Sequence, residues 1–515
     1  MPQPETAAHT ASNNNNAHGT GFIPTAADVG TYTKTHKAYT FHPTILREYD
    51  IRGTIGTTVN AQDAFALGAA FGTYLRKVIE AKSGAAAEKP LWVSVGYDGR
   101  LTSPALEDAL VAGLTSVGIN VDRIGLGPTP MTYFTAMDKM SDGAIMVTGS
   151  HNPPEYNGFK MVLQGGAVYG RMIQDIGAIA AQGAFHAPAA EGTTTQSDMR
   201  EAYVARLRQD YDGGRPLKVV WDAGNGATGD VLRMLVKLLP GEHILLYDTI
   251  DGTFPNHHPD PTVDKNLAEL RRVVLEQKAD LGIAFDGDGD RIGAVDDKAQ
   301  ILRCDTLLMI YAREVLKNFP NAPIIGDVKC SQTLFDKIRE LGGKPVMSRT
   351  GHSLVKTKMK ELKSPLAGEL SGHIFFADRY YGFDDALYCG IRLMNEVAGS
   401  DTPLSTLMDS LPKLSSTPEI RITVDETHKF DLVNTVADAC RTALANAPDS
   451  KAEIIDIDGI RYQTDKGWWL MRASNTQNCI VARVEANSNE ALEQLSAHLE
   501  ASLQSVGLSL KDAIE

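Results

Sequence analysis

The sequence predicts an α/β protein, with three tandem α/β domains followed by a smaller α+β domain, and three observations carry that prediction. A short apolar strand, a polar loop, an amphipathic helix and a second apolar strand recur in that order at 91–125, 217–248 and 322–349. Beyond Pro412 the pattern changes to four strand candidates, at 419–424, 453–459, 467–472 and 479–486, with a closing helix at 490–503. The chain has 515 residues, 43% hydrophobic and 22% charged, which is enough apolar mass for several cores rather than one.

Taken in order, residues 1–40 include Asn13 to Asn16 and few large aliphatic side chains. Such a segment buries too little to offset the entropy of ordering, and reads as a disordered tail. The folded chain is expected to begin at Phe41, and Ala64, Leu67, Phe71, Leu75 and Val78 share one face of a first helix. Strand, helix and strand at the recurring spacing make βαβ units. The α/β domains are therefore placed at 41–190, 191–300 and 301–411, and the last domain at 412–515.

The formal net charge of -14 is spread along the chain without blocks of like charge. That disfavours nucleic acid and anionic membrane surfaces as partners, so an anionic ligand must meet locally placed basic groups. The five cysteines (Cys304, Cys330, Cys389, Cys440 and Cys479) are far apart and lack CxxC spacing, which fits reduced thiols rather than disulfides or zinc. No apolar run approaches the ~18 residues of a membrane span, and no basic start with an apolar stretch opens the chain. The expected compartment is the cytoplasm.

Four loops carry chemistry. In the first, the apolar run Ala144 to Val147 empties into Thr148-Gly-Ser150-His151-Asn-Pro-Pro, where two prolines stiffen the chain just beyond a serine at a strand end. Taken alone, this is more simply a structural turn. The second, Asp286-Gly-Asp288-Gly-Asp290-Arg291, alternates carboxylates with glycines, so three acids can converge on one cation. Hard oxygen donors without His or Cys select magnesium, manganese or calcium over zinc. An EF-hand loop does not fit, because its sixth position holds Arg291 rather than Gly and its twelfth Asp297 rather than Glu.

The third loop, Gly368-Glu369-Leu-Ser371-Gly-His373, offers an acid, a hydroxyl and an imidazole that suit sugar hydroxyls; a polar loop with a satisfied histidine is the plainer alternative. The fourth, Arg472-Ala-Ser474-Asn475-Thr476, can form an oxyanion cradle or an ordinary hairpin turn.

Together, in this order, the four motifs TGSHNP, DGDGDR, GELSGH and RASNT resemble the α-D-phosphohexomutase superfamily, and within it the bacterial phosphomannomutase/phosphoglucomutase branch. The resemblance runs from about Phe41 to the C-terminus. It implies a four-domain phosphohexomutase architecture around a central cleft, with mixed sheets in the three α/β domains and one loop from each domain. It also implies interconversion of hexose 1-phosphate and hexose 6-phosphate through a phosphorylated Ser150 and a hexose 1,6-bisphosphate, which is both intermediate and activator. One Mg2+ per site would be held by Asp286, Asp288 and Asp290 and by an oxygen on Ser150. Lys160, His373, Arg52 and Arg291 would be the catalytic group.

By the same resemblance, Tyr49, His151, Lys329, His352, Glu369, Ser371, Arg472, Ser474, Asn475 and Thr476 would bind substrate. The substrates implied are glucose 1-phosphate, mannose 1-phosphate and their 6-phosphate isomers, turned over by a monomer or weak dimer. Asn478 stands where the family commonly has a proline, and residues 1–40 have no family counterpart.

Overall fold

The structure is a computed structural model that describes residues 22–84, 89–163, 166–412, 414–425, 427–447, 451–475 and 477–514. Each of the three predicted units forms a parallel strand pair joined by a helix. They are Trp92–Tyr97, Ser103–Ser116 and Asn120–Leu126; Leu217–Asp222, Gly229–Val236 and Gly241–Leu246; and Pro323–Asp327, Gln332–Glu340 and Lys344–Ser348. In each domain a third strand lies parallel to the first, on the side away from the second: Gly143–Val147, Leu281–Phe285 and Leu366–Gly368. A fourth runs back antiparallel to the third: Tyr156–Leu163, Ile292–Asp296 and Ile374–Phe376. The spatial order fourth, third, first, second therefore repeats in all three sheets. In every case one short hairpin joins the third strand to the fourth.

The C-terminal domain is different, as the sequence predicts. Its sheet is antiparallel, with Gly467–Ala473 and Cys479–Ala486 at the centre. Trp469, Met471, Ile480 and Val484 face the helices Lys429–Ala445 and Asn489–Gln504. The intervening Trp468 and Leu470 pack on Val328 of the third domain, which explains why that strand reads as apolar throughout. Around this seam, Arg461 lies over the Trp468 ring at 3.8 Å and donates to the carbonyls of Val328 and Cys330 at 2.7 and 2.9 Å. Arg483 donates to the carbonyl of Lys329 at 2.7 Å.

The expected disordered tail needs correcting. Residues 1–21 lie outside the described residues, but 22–40 are packed on the first domain. Val29 is buried, Tyr32 stacks on Phe65 with ring centroids 5.4 Å apart, and the Tyr39 hydroxyl donates to Asp63 at 2.8 Å. A few aromatic contacts at one helix end replace the aliphatic content that the segment lacks. The boundary at 190 also needs moving, because Thr194–Gln196 pairs with Asn120–Leu126 and so extends the first sheet. Among the described residues, no helix is long and apolar enough to cross a membrane, and the five cysteines are buried free thiols.

The helix Ala61–Ser83 starts on a capping box, with Asn60 accepting from the amides of Gln62 and Asp63 while Asp63 accepts from that of Asn60. It meets Ser103–Ser116 backbone to backbone: a Cβ at Gly113 would lie 2.1 Å from the Phe65 carbonyl oxygen, and one at Gly68 2.2 Å from that of Leu110. Gly113→Ala is therefore expected to destabilise the first domain by about 1–3 kcal/mol, read as a lower Tm in a thermal scan. Gly166→Ala, where an added Cβ meets nothing within 4 Å, is expected to leave Tm nearly unchanged.

Candidate active site

The repeated topology delivers the chemistry. The serine, aspartate and sugar loops are the three equivalent hairpins, and the fourth loop is the turn between the two central strands of the last sheet.

Ser150 leaves the buried strand Gly143–Val147 with φ of 51°, a left-handed conformation that a serine holds only when its surroundings fix it. Two residues at the end of Trp92–Tyr97 do so. Asp98 accepts from the Thr148 hydroxyl at 2.8 Å and from the Gly149 amide at 3.1 Å. The buried Arg100 donates to the carbonyls of Ser150, Asn152, Pro153 and Tyr156 at 2.5–2.9 Å, and to Asp98 at 3.1 Å. Gly149 makes room for it, since a Cβ there would sit 2.4 Å from the Arg100 Cζ. The Ser150 Oγ is 3.0 Å from Asp286 Oδ2 and 3.2 Å from His151 Nδ1.

Asp286, Asp288 and Asp290 are fully buried and offer oxygens within 4.8 Å of one another. Asp286 Oδ1 accepts from the amides of Asp290 and Arg291, both at 3.0 Å, which turns its Oδ2 toward Ser150. Lys160, on Tyr156–Leu163, bridges Asp288 and Asp290 at 2.7 and 2.5 Å, and the Thr129 hydroxyl also donates to Asp288. Burial and the neighbouring carboxylates push Asp286 and Asp290 up. At Asp288, burial is outweighed by Lys160 and Thr129, which hold it below the ordinary carboxylate range. Lys160 in turn is raised by Asp288 and Asp290, against a burial that would lower it. Among the described residues Asp288 Oδ1 and Asp290 Oδ1 are buried without a hydrogen-bond partner, which suits oxygens that could ligate a hard cation.

Arg291 donates through Nε to His373 Nε2 at 3.1 Å, linking the aspartate loop to the sugar loop. His373 stacks on His352 at 5.3 Å, and His352 meets Tyr49 edge-on at 6.2 Å. Burial, then nearby cations, lowers His352 and His151 well below the usual imidazole range, so both are neutral. Glu369 accepts from the Gly351 amide, and Ser371 Oγ is 3.4 Å from its other oxygen. The Tyr49 hydroxyl donates to the Thr350 carbonyl at 2.7 Å and accepts from Asn475 Nδ2 at 2.6 Å, so one side chain of the first domain touches the third and fourth.

Arg472 pairs with Asp458 at 2.9 Å, and Ser474 Oγ accepts from the Gln477 amide at 3.1 Å. Lys329 pairs with Glu419 at 3.1 Å, and Arg52 with Asp50 at 2.5 Å and Asn152 at 2.8 Å. Thr476 lies outside the described residues. Sequence reasoning missed Asp98, Arg100, Thr129, Asp384, Lys356 and Asp458. The only signal was the Asp98-Gly-Arg100 triplet directly after an apolar strand, the place where each later repeat also turns polar.

The chain matches the four parts of one family. Phosphoglucomutase/phosphomannomutase alpha/beta/alpha domain I matches residues 43–187, domain II 201–299, domain III 303–414, and the C-terminal domain 419–502. It is 40% identical to a phosphomannomutase/phosphoglucomutase of Pseudomonas aeruginosa over 92% of this chain and 99% of that one. It is also 40% identical to a phosphoglucomutase of Neisseria meningitidis, over 90% of this chain and 97% of that one. A crystal structure of a phosphoglucomutase/phosphomannomutase family protein from Burkholderia thailandensis superposes with a TM-score of 0.81 at 42% identity, covering 91% of this chain and 98% of that one.

Replacing Arg100 with Met is expected to cost about 3–5 kcal/mol, because it takes the cation away from the buried Asp98 carboxylate and a donor away from four carbonyls. Hydrogen exchange should then show faster labelling across 148–156, with domains distant from this loop unaffected.

Proposed function

The chain belongs to the phosphoglucomutase/phosphomannomutase family, and from that premise we propose that its four loops interconvert hexose 1-phosphates and hexose 6-phosphates of glucose, mannose or both, with Ser150 as phosphate carrier. The observation that carries the reading is the contact of Ser150 Oγ with Asp286 at 3.0 Å, in a site where Lys160 of the serine domain spans the other two aspartates.

Asp286, Asp288 and Asp290, with an oxygen on Ser150, are the donors for one Mg2+, which the all-oxygen set and the orphaned Oδ1 atoms fit. When bound, that cation would offset negative charge on the phosphoryl oxygens. Asp98 and Arg100 fix the serine loop so that Oγ projects at the strand end. Arg472, Ser474, Asn475 and Thr476 take the substrate's resident phosphate, while Glu369 and Ser371 orient the sugar hydroxyls. Lys329, His151, His352 and Tyr49 line the same site.

In the first transfer a sugar hydroxyl oxygen bonds to phosphorus as the bond to Ser150 Oγ breaks, and the hydroxyl proton passes to a protein base. Turning the 1,6-bisphosphate end for end places its other phosphate at Ser150, whose Oγ takes it back as the opposite isomer leaves. Among Lys160, His373 and Arg52 as handlers of that proton, His373 is favoured. Its Nε2 is an acceptor, whereas Lys160 is an ammonium pinned by two carboxylates and Arg52 can only donate. Arg52 and Arg291 serve as fixed cations. The protein is read as a cytoplasmic monomer or weak dimer.

Coupled assays with glucose 1-phosphate and mannose 1-phosphate, each with a 1,6-bisphosphate activator, are expected to show turnover of at least one, and no turnover of either overturns the reading. Ser150→Ala should lose the phosphoenzyme seen by intact mass; survival of that signal would place the carrier elsewhere. Chelation with EDTA should stop transfer and added Mg2+ restore it, while Asp288→Asn should weaken Mg2+ binding in calorimetry.

A further inference from the structure

Behind His373 lies Asp384, fully buried and held beside the sugar-loop strand by a backbone bridge to Phe375. Its Oδ2 is 3.0 Å from His373 Nδ1, and its Oδ1 accepts from Lys356 Nζ at 2.9 Å. His352 Nδ1 is farther from the carboxylate, at 3.7 Å, and Asp290 Oδ1 is 3.6 Å from His373 Nδ1. Among the described residues His373 Nδ1 and Asp384 Oδ2 have no aligned hydrogen bond to any group, each other included, yet at 3.0 Å each is the nearest polar atom of opposite kind that the other has.

Asp290, His373 and Asp384 bring ligand atoms within 4.8 Å of one another, which suits either a second cation or a hydrogen between the ring and an acid. The far ring nitrogen decides. Arg291 Nε can only donate, and it points at His373 Nε2 from 3.1 Å, so Nε2 carries the lone pair and Nδ1 the hydrogen. A protonated Nδ1 cannot ligate a metal, and the acceptor within its reach is Asp384 Oδ2 at 3.0 Å. Burial would raise Asp384, but Lys356 and His373 outweigh it and hold the carboxyl well below its ordinary range, so an anion faces the ring.

We propose that Asp384 is a positioning residue for His373: it is placed to accept from Nδ1–H and so keeps the lone pair on Nε2, which the arriving substrate hydroxyl takes over from Arg291 Nε, while Lys356 holds the carboxylate in place. This rests on the reading of His373 as the proton acceptor. When the hydroxyl proton passes to Nε2, the imidazolium forms against an anion already present, and the same proton is returned in the second transfer. His352, neutral and stacked on the ring, covers its face without adding charge.

Lys356 gives the proposal a sharp test. In Asp384→Asn the ammonium keeps the amide oxygen, so the NH2 faces His373 Nδ1 and forces the hydrogen onto Nε2, against Arg291. The expected result is a fall in kcat of about 10²-fold or more with KM unchanged, as for loss of an interaction that matters in the transition state. In Asp384→Asn with Lys356→Met the amide is free to turn its oxygen to Nδ1–H, so the Asn/Asp ratio in kcat should recover relative to the Lys356 background. Long-range 1H–15N spectra of histidine-labelled protein should show the hydrogen on Nδ1 in the parent and on Nε2 in Asp384→Asn.

Added to His373→Ala, the Asp384→Asn change should cost no further activity. A further loss in that background, an unrecovered ratio with Lys356→Met, or an Nε2–H tautomer in the parent overturns the proposal. If His373→Ala itself keeps full kcat, the reading of His373 as acceptor falls instead, and the spectra still decide whether Asp384 sets the tautomer.

Discussion

Three carboxylates held out of water within 4.8 Å of one another cannot stand without positive charge beside them, and that need ties the first domain to the second. Lys160 meets it from the fourth strand of the first sheet, 2.5 Å from one aspartate and 2.7 Å from another. Because Lys160 and Ser150 sit on the two sides of one hairpin, the ion pairs that join the domains also place the serine against Asp286. Arg100 completes the constraint from inside the first domain, gathering the carbonyls that a left-handed serine would otherwise leave unpaired. The position of Ser150 is thus set twice, by a guanidinium beneath it and by an ammonium beside it.

The threefold repeat gives this arrangement its economy. A parallel pair with a helical crossover fixes the first two strands, and the third strand and its antiparallel return leave a hairpin at the same end of each sheet. Placing these ends together brings Ser150, the three aspartates and His373 into one space, although they come from hairpins far apart along the chain. The last domain reaches the same space by a different route, through the turn between its two central strands.

Much of this was legible in the sequence. The three βαβ units were visible as alternating apolar runs and amphipathic stretches, and the four loops as polar breaks with distinctive composition. The groups that were not legible act at a distance along the chain. Asp98 and Arg100 look like an ordinary turn until the serine loop folds over them, and Asp384 reads as half of an acidic pair ahead of a helix, whose neighbour Asp385 is the N-cap. The packed segment 22–40 was missed for another reason. Its overall composition is that of a disordered chain, and its order rests on a handful of aromatic and hydrogen-bonding contacts that composition averages away.

The seam between the last two domains bears on how the site can move. Arg461 and Arg483 grip the carbonyls of three successive residues, and the middle one is Lys329. Any swing of the C-terminal domain that keeps those bonds drags that lysine along with Arg472 and Asn475, so the distances among them stay fixed while their separation from Ser150 changes. The Tyr49 hydroxyl, touching Thr350 and Asn475 together, is the contact from the first domain that any such swing has to keep or break.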